Sequence, residues 1–523
     1  MVSSELWFGA SAGFYNGVAT QSLRFDSGSS AYLYRTPSSA GNRRTFTWSA
    51  WLKRGVLDPQ NTTGSNDTSI FSGGGSSNIS VFRFFSQVTA NSNYLALYTY
   101  DNGGADYSEE TNASFRDTSS WYHFVISVDT TQSTASNRIR YYVNGTEQTD
   151  KAQYYAQVPQ NYDMHINNNV LQGIGRNVDN TRYFDGYMAE VNFVDGSQLT
   201  PSSFGETKNG VWIAKEYTGS YGTNGYRLEF KQTGTGTASS STIGADTSGN
   251  NNHWTSSGIV ASDCVSDSPE NNWATLNPLD PFSGTLSEGN LKYNNGTSFR
   301  ASRGTFEIPS SGKWYFEVLN ASATSGSSAI FAGVAHADSN ISAQPNNGST
   351  TKLYGIYNDS SLGILSNGSQ SSSTSNTISA DSILQFAIDA DNNKFYVGIN
   401  NSYYTNATTS ASFNASNPTE SIDLAGYRPF VGAYSNTVIL NCGQDASFAG
   451  EITAGTATGT GAGVFKYAPP TGYKALCSAN LPEPTISPNA STQADDHFGT
   501  LTYTSDGNAV NIVSGGNDNN GNA

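Results

Sequence analysis

Period-two alternation, repeated down the chain and never giving way to a 3.6-residue period, limits the folds open to this sequence. Thr45–Lys53 (TFTWSAWLK) places Phe46, Trp48, Ala50 and Leu52 on one face, and Trp121–Asp129 (WYHFVISVD) gathers Tyr122, Phe124, Ile126 and Val128 in the same way. Phe184–Leu199 sets apolar Tyr187, Ala189, Val191 and Phe193 against Met188, Glu190, Asn192 and Val194, then turns at Asp195-Gly196. Arg138–Val143 runs into Asn144-Gly145, the strongest short hairpin signal. Short runs with one apolar face each must pair into sheets and bury those faces against one another. The predicted class is all-β, and the architecture a sandwich.

A chain of 523 residues exceeds one ordinary core and implies two to four domains. Its 53 glycines, 12% aromatic and 13% charged residues suit many turns between strands. No apolar run of about 18 residues appears, which excludes membrane insertion by a helix. Residues 1–10 lack a basic segment and a long apolar core, so no signal peptide is expected. The net charge is −16 with scattered Lys and Arg, which argues against a phosphate-binding surface and against nucleic acid as a partner. Cys264, Cys442 and Cys477 have no CxxC spacing. They read as isolated thiols, or as one pair and a single thiol, not as a disulfide framework or a zinc site.

The predicted organisation has five parts. Residues 1–18 form a short N-terminal peptide rich in aromatics and glycine, either an edge strand or tail or a docking peptide. Residues 19–254 form a first sandwich and 286–482 a second. Turn chemistry at Ser268–Asn272 and Asn277–Pro281 marks 255–285 as a linker. Residues 483–523 are a polar C-terminal extension.

Five motifs of the first sandwich resemble laminin G-type, concanavalin A-like jelly rolls. They are the Ser-Leu-Arg-Phe opening (22–25), Phe-Thr-Trp-Ser-Ala-Trp (46–51), Trp-Tyr-His-Phe (121–124), Tyr-Val-Asn-Gly (142–145) and Phe-Asp-Gly-Tyr-Met-Ala-Glu-Val (184–191). Gly244–Trp254 is similar to a turn of the same superfamily. In the second half, Lys-Trp-Tyr-Phe-Glu-Val (313–318), Gln-Phe-Ala-Ile-Asp (385–389), Arg-Pro-Phe-Val (428–431) and the strand leading to Gly443-Gln444 resemble the SPRY domain. SPRY domains share the sandwich, so the resemblance implies two tandem concanavalin A-like jelly rolls. The opening 35–55, with the order of modules, looks like lectin-like virion proteins of tailed bacteriophages, including marine ones.

That resemblance implies a virion surface protein, a tail or head fibre or a decoration, assembled in the host cytoplasm. Its partners would be other virion proteins (capsid, portal or tail) and host-surface glycans. A homo-oligomer is implied, with a trimer usual for fibres, although no heptad or β-helix repeat is present. Trp7, Phe8, Phe14 and Tyr15 would anchor the chain. Sugar binding in the superfamily uses loop aromatics for stacking and Asn or Asp for hydroxyls. Tyr98, Tyr100, Asp101, Asn102, Tyr107 and Tyr183 are the candidates, with Tyr154 and Tyr155 in similar stretches. No cofactor is required. A structural Ca²⁺ near the first and last strands would take Asp26, Glu190 and Asp246.

Catalysis is not expected. Sandwich glycanases carry their two carboxylates on one strand as Glu-x-Asp-x-x-Glu, and no such triplet occurs; Glu190 and Asp195, five apart, face opposite sides of a regular strand. The five histidines are isolated and read as solvated or edge residues. Asp389–Lys394 resembles the start of a calcium loop but has Lys394 at the sixth position and Asn400 at the twelfth, so a hairpin turn is expected there. The leading expectation is a non-enzymatic adhesin that binds host glycans. A purely architectural decoration stands second and a polysaccharide depolymerase third.

Overall fold

Thr45–Arg54 lies in the middle of the first sheet, because its inward residues Phe46, Trp48, Ala50 and Leu52 are fully buried. In the computed structural model it pairs antiparallel with Tyr122–Asp129 on one side and Gly186–Asp195 on the other, so that Trp48 faces Ile126 and Phe193. Ile139–Val143 and Thr146–Glu147 extend one edge, Ser22–Phe25 and Cys264–Val265 the other. The Asn144-Gly145 turn joins the first two of these with φ of 47° and 82°, the left-handed pair that a two-residue hairpin requires. The structure describes residues 14–481, apart from 58–66, 76, 86–92, 103, 281–283, 323, 325–327, 346–350 and 376.

The opposing sheet runs in the order Lys151–Ala152, Asp106–Ser114, Tyr94–Asp101, Asn78–Phe85, Thr68–Gly75, Gln172–Ile174, Tyr32–Arg35, Thr255–Ser257. Between the sheets lie Trp48, Phe71, Phe82, Phe193, Tyr226 and Trp254. Trp48 stacks on Phe71 at 6.4 Å and 12°. Burying an aromatic side chain of this kind is worth roughly 1.5–3 kcal/mol, and the first sandwich is built on many of them.

The second sandwich repeats the logic. Lys313–Asn320 sits between Asn436–Asn441 and Ser382–Asp389, and the facing sheet centres on Ala329–His336 between Tyr427–Tyr434 and Leu353–Asn358. Trp314, Phe316 and Val318 enter one core with Ile330, Phe386, Phe395 and Val431. No α-helix occurs among the described residues, and none is long and apolar enough to cross a membrane. All-β tandem sandwiches are therefore the fold.

Buried ion pairs join the two sandwiches. Arg24, Tyr187 and Lys53 occupy one cross-strand row on the outer face of the first sheet. Arg24, with a fully buried side chain, reaches Asp445 Oδ2 at 3.0 Å, Asp263 Oδ1 at 2.8 Å and Glu288 Oε2 at 3.3 Å. Lys53 Nζ donates to Asp267 Oδ2, Asn272 Oδ1 and Trp273 O, each at 2.8 Å, which uses all three of its protons. The Tyr187 hydroxyl donates to Gly289 O at 2.7 Å.

Several expectations need correction. The 255–285 stretch is not a free linker: Thr255–Ser257 pairs with Tyr32–Arg35 and Cys264–Val265 with Ser22–Phe25. Farther on, Ala274 and Leu276 enter the second core. Turn residues here only redirect a chain that stays paired. The alternation expected in Gly186–Asp195 also breaks. Ala189 faces Trp51 and Asn192 faces Ser49, three steps against two, with Glu190 at φ 48°. This bulge sends Met188, Val191 and Phe193 inward and leaves Tyr187, Ala189 and Val194 outward. The cysteines need no such correction, since all three are free thiols, the first of the two expected arrangements. Not all histidines are solvated, since His123 is 1% exposed.

Candidate functional site

The outer face of the second sheet follows from strand parity. On Asn78–Phe85, Phe82 and Phe84 enter the inter-sheet core, so Ile79, Val81, Arg83 and Phe85 point away from it. Register then aligns Ser69, Arg83, Ala96 and Glu110 across four strands, with Val81, Tyr98 and Ser108 in the next row. Small Ala96 leaves Arg83 and Glu110 facing each other over it.

Arg83 organises this face. Its guanidinium lies 4.7 Å from the ring centres of both Phe85 and Tyr98, a cation–π arrangement, while Nη1 donates to Asp67 Oδ2 at 2.6 Å. Burial pushes the Glu110 carboxyl upward, against the pull of Arg83. Burial, then the nearby Asp106, pushes the Tyr98 phenol up to about 12. The phenol is thus neutral at physiological pH. Glu110 Oε2 and Asp67 Oδ1 are buried without a hydrogen-bond donor among the described residues.

Above this floor stand Tyr154 and Tyr155, 56% and 40% exposed and the only strongly exposed aromatic side chains among the described residues. Their rings meet edge to face at 4.8 Å and 86°, which makes a right-angled corner. Tyr154 leans on Phe85 at 5.9 Å and Tyr155 on Tyr98 at 5.9 Å. Both backbone amides donate to Ser108 Oγ, at 3.1 and 2.9 Å, so one hydroxyl holds the pair in place. Neutral rings with carboxylate oxygens beneath suit a ligand that has C–H faces and hydroxyl donors.

The six sugar-site candidates from sequence divide among several places. Tyr98 belongs to the platform, and Tyr100 lies on the same face beside Ile79 and Val81. Tyr183 is on the far flank, 6.2 Å from Tyr32, whose ring carries the Arg176 guanidinium at 3.6 Å. Tyr107 points the other way, 5.3 Å from Tyr162. The Tyr162 hydroxyl and His165 Nε2 each lie 2.7 Å from the Asp101 carboxylate. Asn102 caps the strand end through its amide to Asn78 Oδ1 at 3.0 Å. Arg83, Phe85, Ser108 and Glu110 escaped sequence reading. Period two counted outward from Tyr98 would have found them once the strand pairing was known.

Asp26, Glu190 and Asp246 do not converge. Asp26 accepts from Ser29 N at 2.7 Å and Glu288 N at 3.1 Å, Glu190 from Arg227 Nε at 2.6 Å, and Asp246 from Arg227 N at 2.9 Å and Asn252 N at 2.8 Å. No group of three His, Cys, Asp or Glu side chains that could hold a metal occurs among the described residues. Asp389 accepts from Asn392 N at 3.2 Å at the turn between two paired strands, a hairpin as expected. Phe14 and Tyr15 pack on their own chain: Lys208 Nζ donates to Phe14 O at 2.6 Å, and the two rings meet at 5.0 Å. Trp7 and Phe8 lie outside the described residues.

Residues 26–203 match the family model described as the concanavalin A-like lectin/glucanases superfamily, of laminin G type, so the first sandwich carries a lectin-type domain of that superfamily. No curated protein matches the chain. Among solved structures, domains LG4-5 of the mouse laminin α1 chain are similar at 9% identity and TM-score 0.27, over 81% of this chain and 88% of that one. A putative carbohydrate binding protein from Bacteroides ovatus is similar at 18% identity and TM-score 0.28, over 46% and 58%. The SPRY domain of human HERC1 is similar at 15% identity and TM-score 0.22, over 29% and 87%. All three TM-scores lie below 0.5.

Proposed function

We propose that this chain is a non-catalytic, lectin-like adhesin that binds glycans through the outer face of its first sandwich, displayed in several copies on a virion. The exposed Tyr154–Tyr155 corner, held by Ser108 and backed by Phe85, Tyr98 and Arg83, carries the binding reading. Two perpendicular phenol rings present one face for the C–H side of a sugar and one edge for a neighbouring group. Displayed copies would turn weak single-site affinity into firm adhesion. The sequence resemblance to phage lectin-like proteins supports the virion setting.

Glycan-array binding of the full chain, followed by calorimetry on the best hit, tests the reading. Tyr155→Ala should weaken that hit about tenfold, close to the 1.4 kcal/mol of one lost stacking contact. Equal binding by the variant would sink the platform. Release of reducing ends from a bound polysaccharide would replace the adhesin with a hydrolase, and Asp67 and Glu110 would be the first carboxylates to examine.

A further inference from the structure

A cleft of about 210 Å³ opens where the first sandwich meets the Pro269–Asn272 turn, and Trp51, Trp121, Trp212, Tyr15 and Glu270 line it. Its position follows from the row of outer-face residues next to the Arg24–Tyr187–Lys53 row. Here His123, Trp51 and Ala189 are cross-strand neighbours, and Ala189 leaves room. Trp51 stacks on His123 at 5.0 Å and 25°, and His123 on Trp212 at 6.0 Å and 26°.

Hydrogen bonding locks this stack. An indole only donates, so Trp212 Nε1, 3.1 Å from His123 Nδ1, makes Nδ1 the acceptor. The His123 proton therefore sits on Nε2 and is donated to Ser49 Oγ at 2.8 Å. Burial pushes the imidazole down to about 3, so the ring is neutral at physiological pH. Trp121 Nε1 donates to Asp267 Oδ1 at 2.9 Å.

Trp51 differs from the other two indoles. It is 5% exposed, and its Nε1–H has no acceptor among the described residues. A buried unpaired donor costs about 1–3 kcal/mol; the nitrogen has no accessible surface of its own, so a ligand oxygen offsets that cost only when the cleft side chains shift to admit it. Glu270 supplies an acceptor at the same cleft, with Oε1 held by the Ala19 amide at 3.0 Å. A fitting ligand must accept from Trp51, donate to Glu270 and lay apolar C–H groups on indole faces. A quaternary ammonium ion satisfies the rings and Glu270 but leaves Trp51 unpaired, and an anion meets Glu270 unfavourably. The cleft is smaller than the roughly 300–1,000 Å³ of drug-sized sites, so it has room for one ring.

We infer that this cleft is a second ligand site, separate from the tyrosine platform, that takes a single uncharged pyranose unit.

The test is a tryptophan-fluorescence titration of the full chain. The probes are the methyl glycosides of glucose, galactose, N-acetylglucosamine and N-acetylgalactosamine, with tetramethylammonium as the cation arm. The expected result is a saturable change with at least one glycoside at about millimolar concentration, retained in Tyr155→Ala. Retention there separates this site from the platform, whose failure would leave the signal unaffected. Trp51→Phe, which keeps a ring and removes the N–H, and Glu270→Gln, on the cleft wall, should each weaken the signal about tenfold. Silence from all four glycosides, saturation by tetramethylammonium alone, or full binding by both variants would overturn the inference.

Discussion

Arg24 Nη1 lies 3.0 Å from Asp445 Oδ2, a buried ion pair between residues 421 positions apart that joins the first sandwich to the second. Because Asp263 and Glu288 share the same guanidinium, removing the cation leaves three carboxylates together in a low dielectric. Arg24→Met should therefore lower stability by about 3–5 kcal/mol. Calorimetry should show one unfolding transition for the wild type and two for the variant, as each sandwich melts separately. An unchanged single transition would show that the seam does not couple them.

Stability should fall as pH rises from about 5 to 8. Burial pushes the carboxyls of Asp185, Glu190, Glu288 and Glu317 up to about 7 each. Asp185 is pushed further by neighbouring Asp26. The folded chain thus holds protons that the unfolded chain releases near pH 4. That contribution is complete below the unfolded value and is lost as pH rises through 7. His123 contributes the opposite slope up to about pH 6.5, one group against four. Melting temperature followed across this range should drop by several degrees, and Glu317→Gln should flatten the curve. A rise in melting temperature from pH 5 to 8 would contradict the assignment.

The imidazole of His123 should show no titration between pH 5 and 8 by NMR, because burial holds it at about 3. His123→Leu removes the acceptor of Trp212 and the donor to Ser49. One buried donor left unpaired costs about 1–3 kcal/mol, and tryptophan emission should shift with the broken stack. A midpoint near pH 6.5 would mean that the ring is solvated.

Ser108→Ala should weaken glycan binding about threefold while leaving the melting temperature within about 2 °C, since the hydroxyl orients two surface amides and little else. Tyr98→Phe should bind normally, because its ring and not its hydroxyl supports Tyr155. Tyr98→Ala should lose about as much affinity as Tyr155→Ala. Calorimetric titration of the three variants decides whether the platform acts as one unit.

Period two in the sequence was sufficient to place Phe46, Trp48, Ala50 and Leu52, and likewise Trp314, Phe316 and Val318, on inward faces. It was also sufficient for the Asn144-Gly145 hairpin, because side-chain parity and turn conformation are local properties of the chain. Parity failed at Glu190, where the bulge put Tyr187 and Val191, expected on one face, on opposite faces; one inserted residue has no local signature. The glycan candidates fared unevenly for a related reason. Tyr98 and Tyr107 lie in neighbouring strands, yet register, which local sequence does not encode, sends them to opposite faces.

What the amino-acid order determined by itself is the class and the inner face of each sheet, since alternating apolar residues must be removed from water wherever the strand ends up. Only the tertiary structure decided what covers the outer faces. Arg24 and Lys53 look like ordinary solvent-facing residues of alternating strands, and Trp51 like a surplus aromatic. They are buried because residues more than 200 positions away supply Asp263, Asp267 and Asp445. The unpaired Trp51 N–H likewise acquires meaning only when the connection and the N-terminal segment close around it. Charge pairing and cleft formation of this kind depend on distance in space, and no spacing along the chain records it.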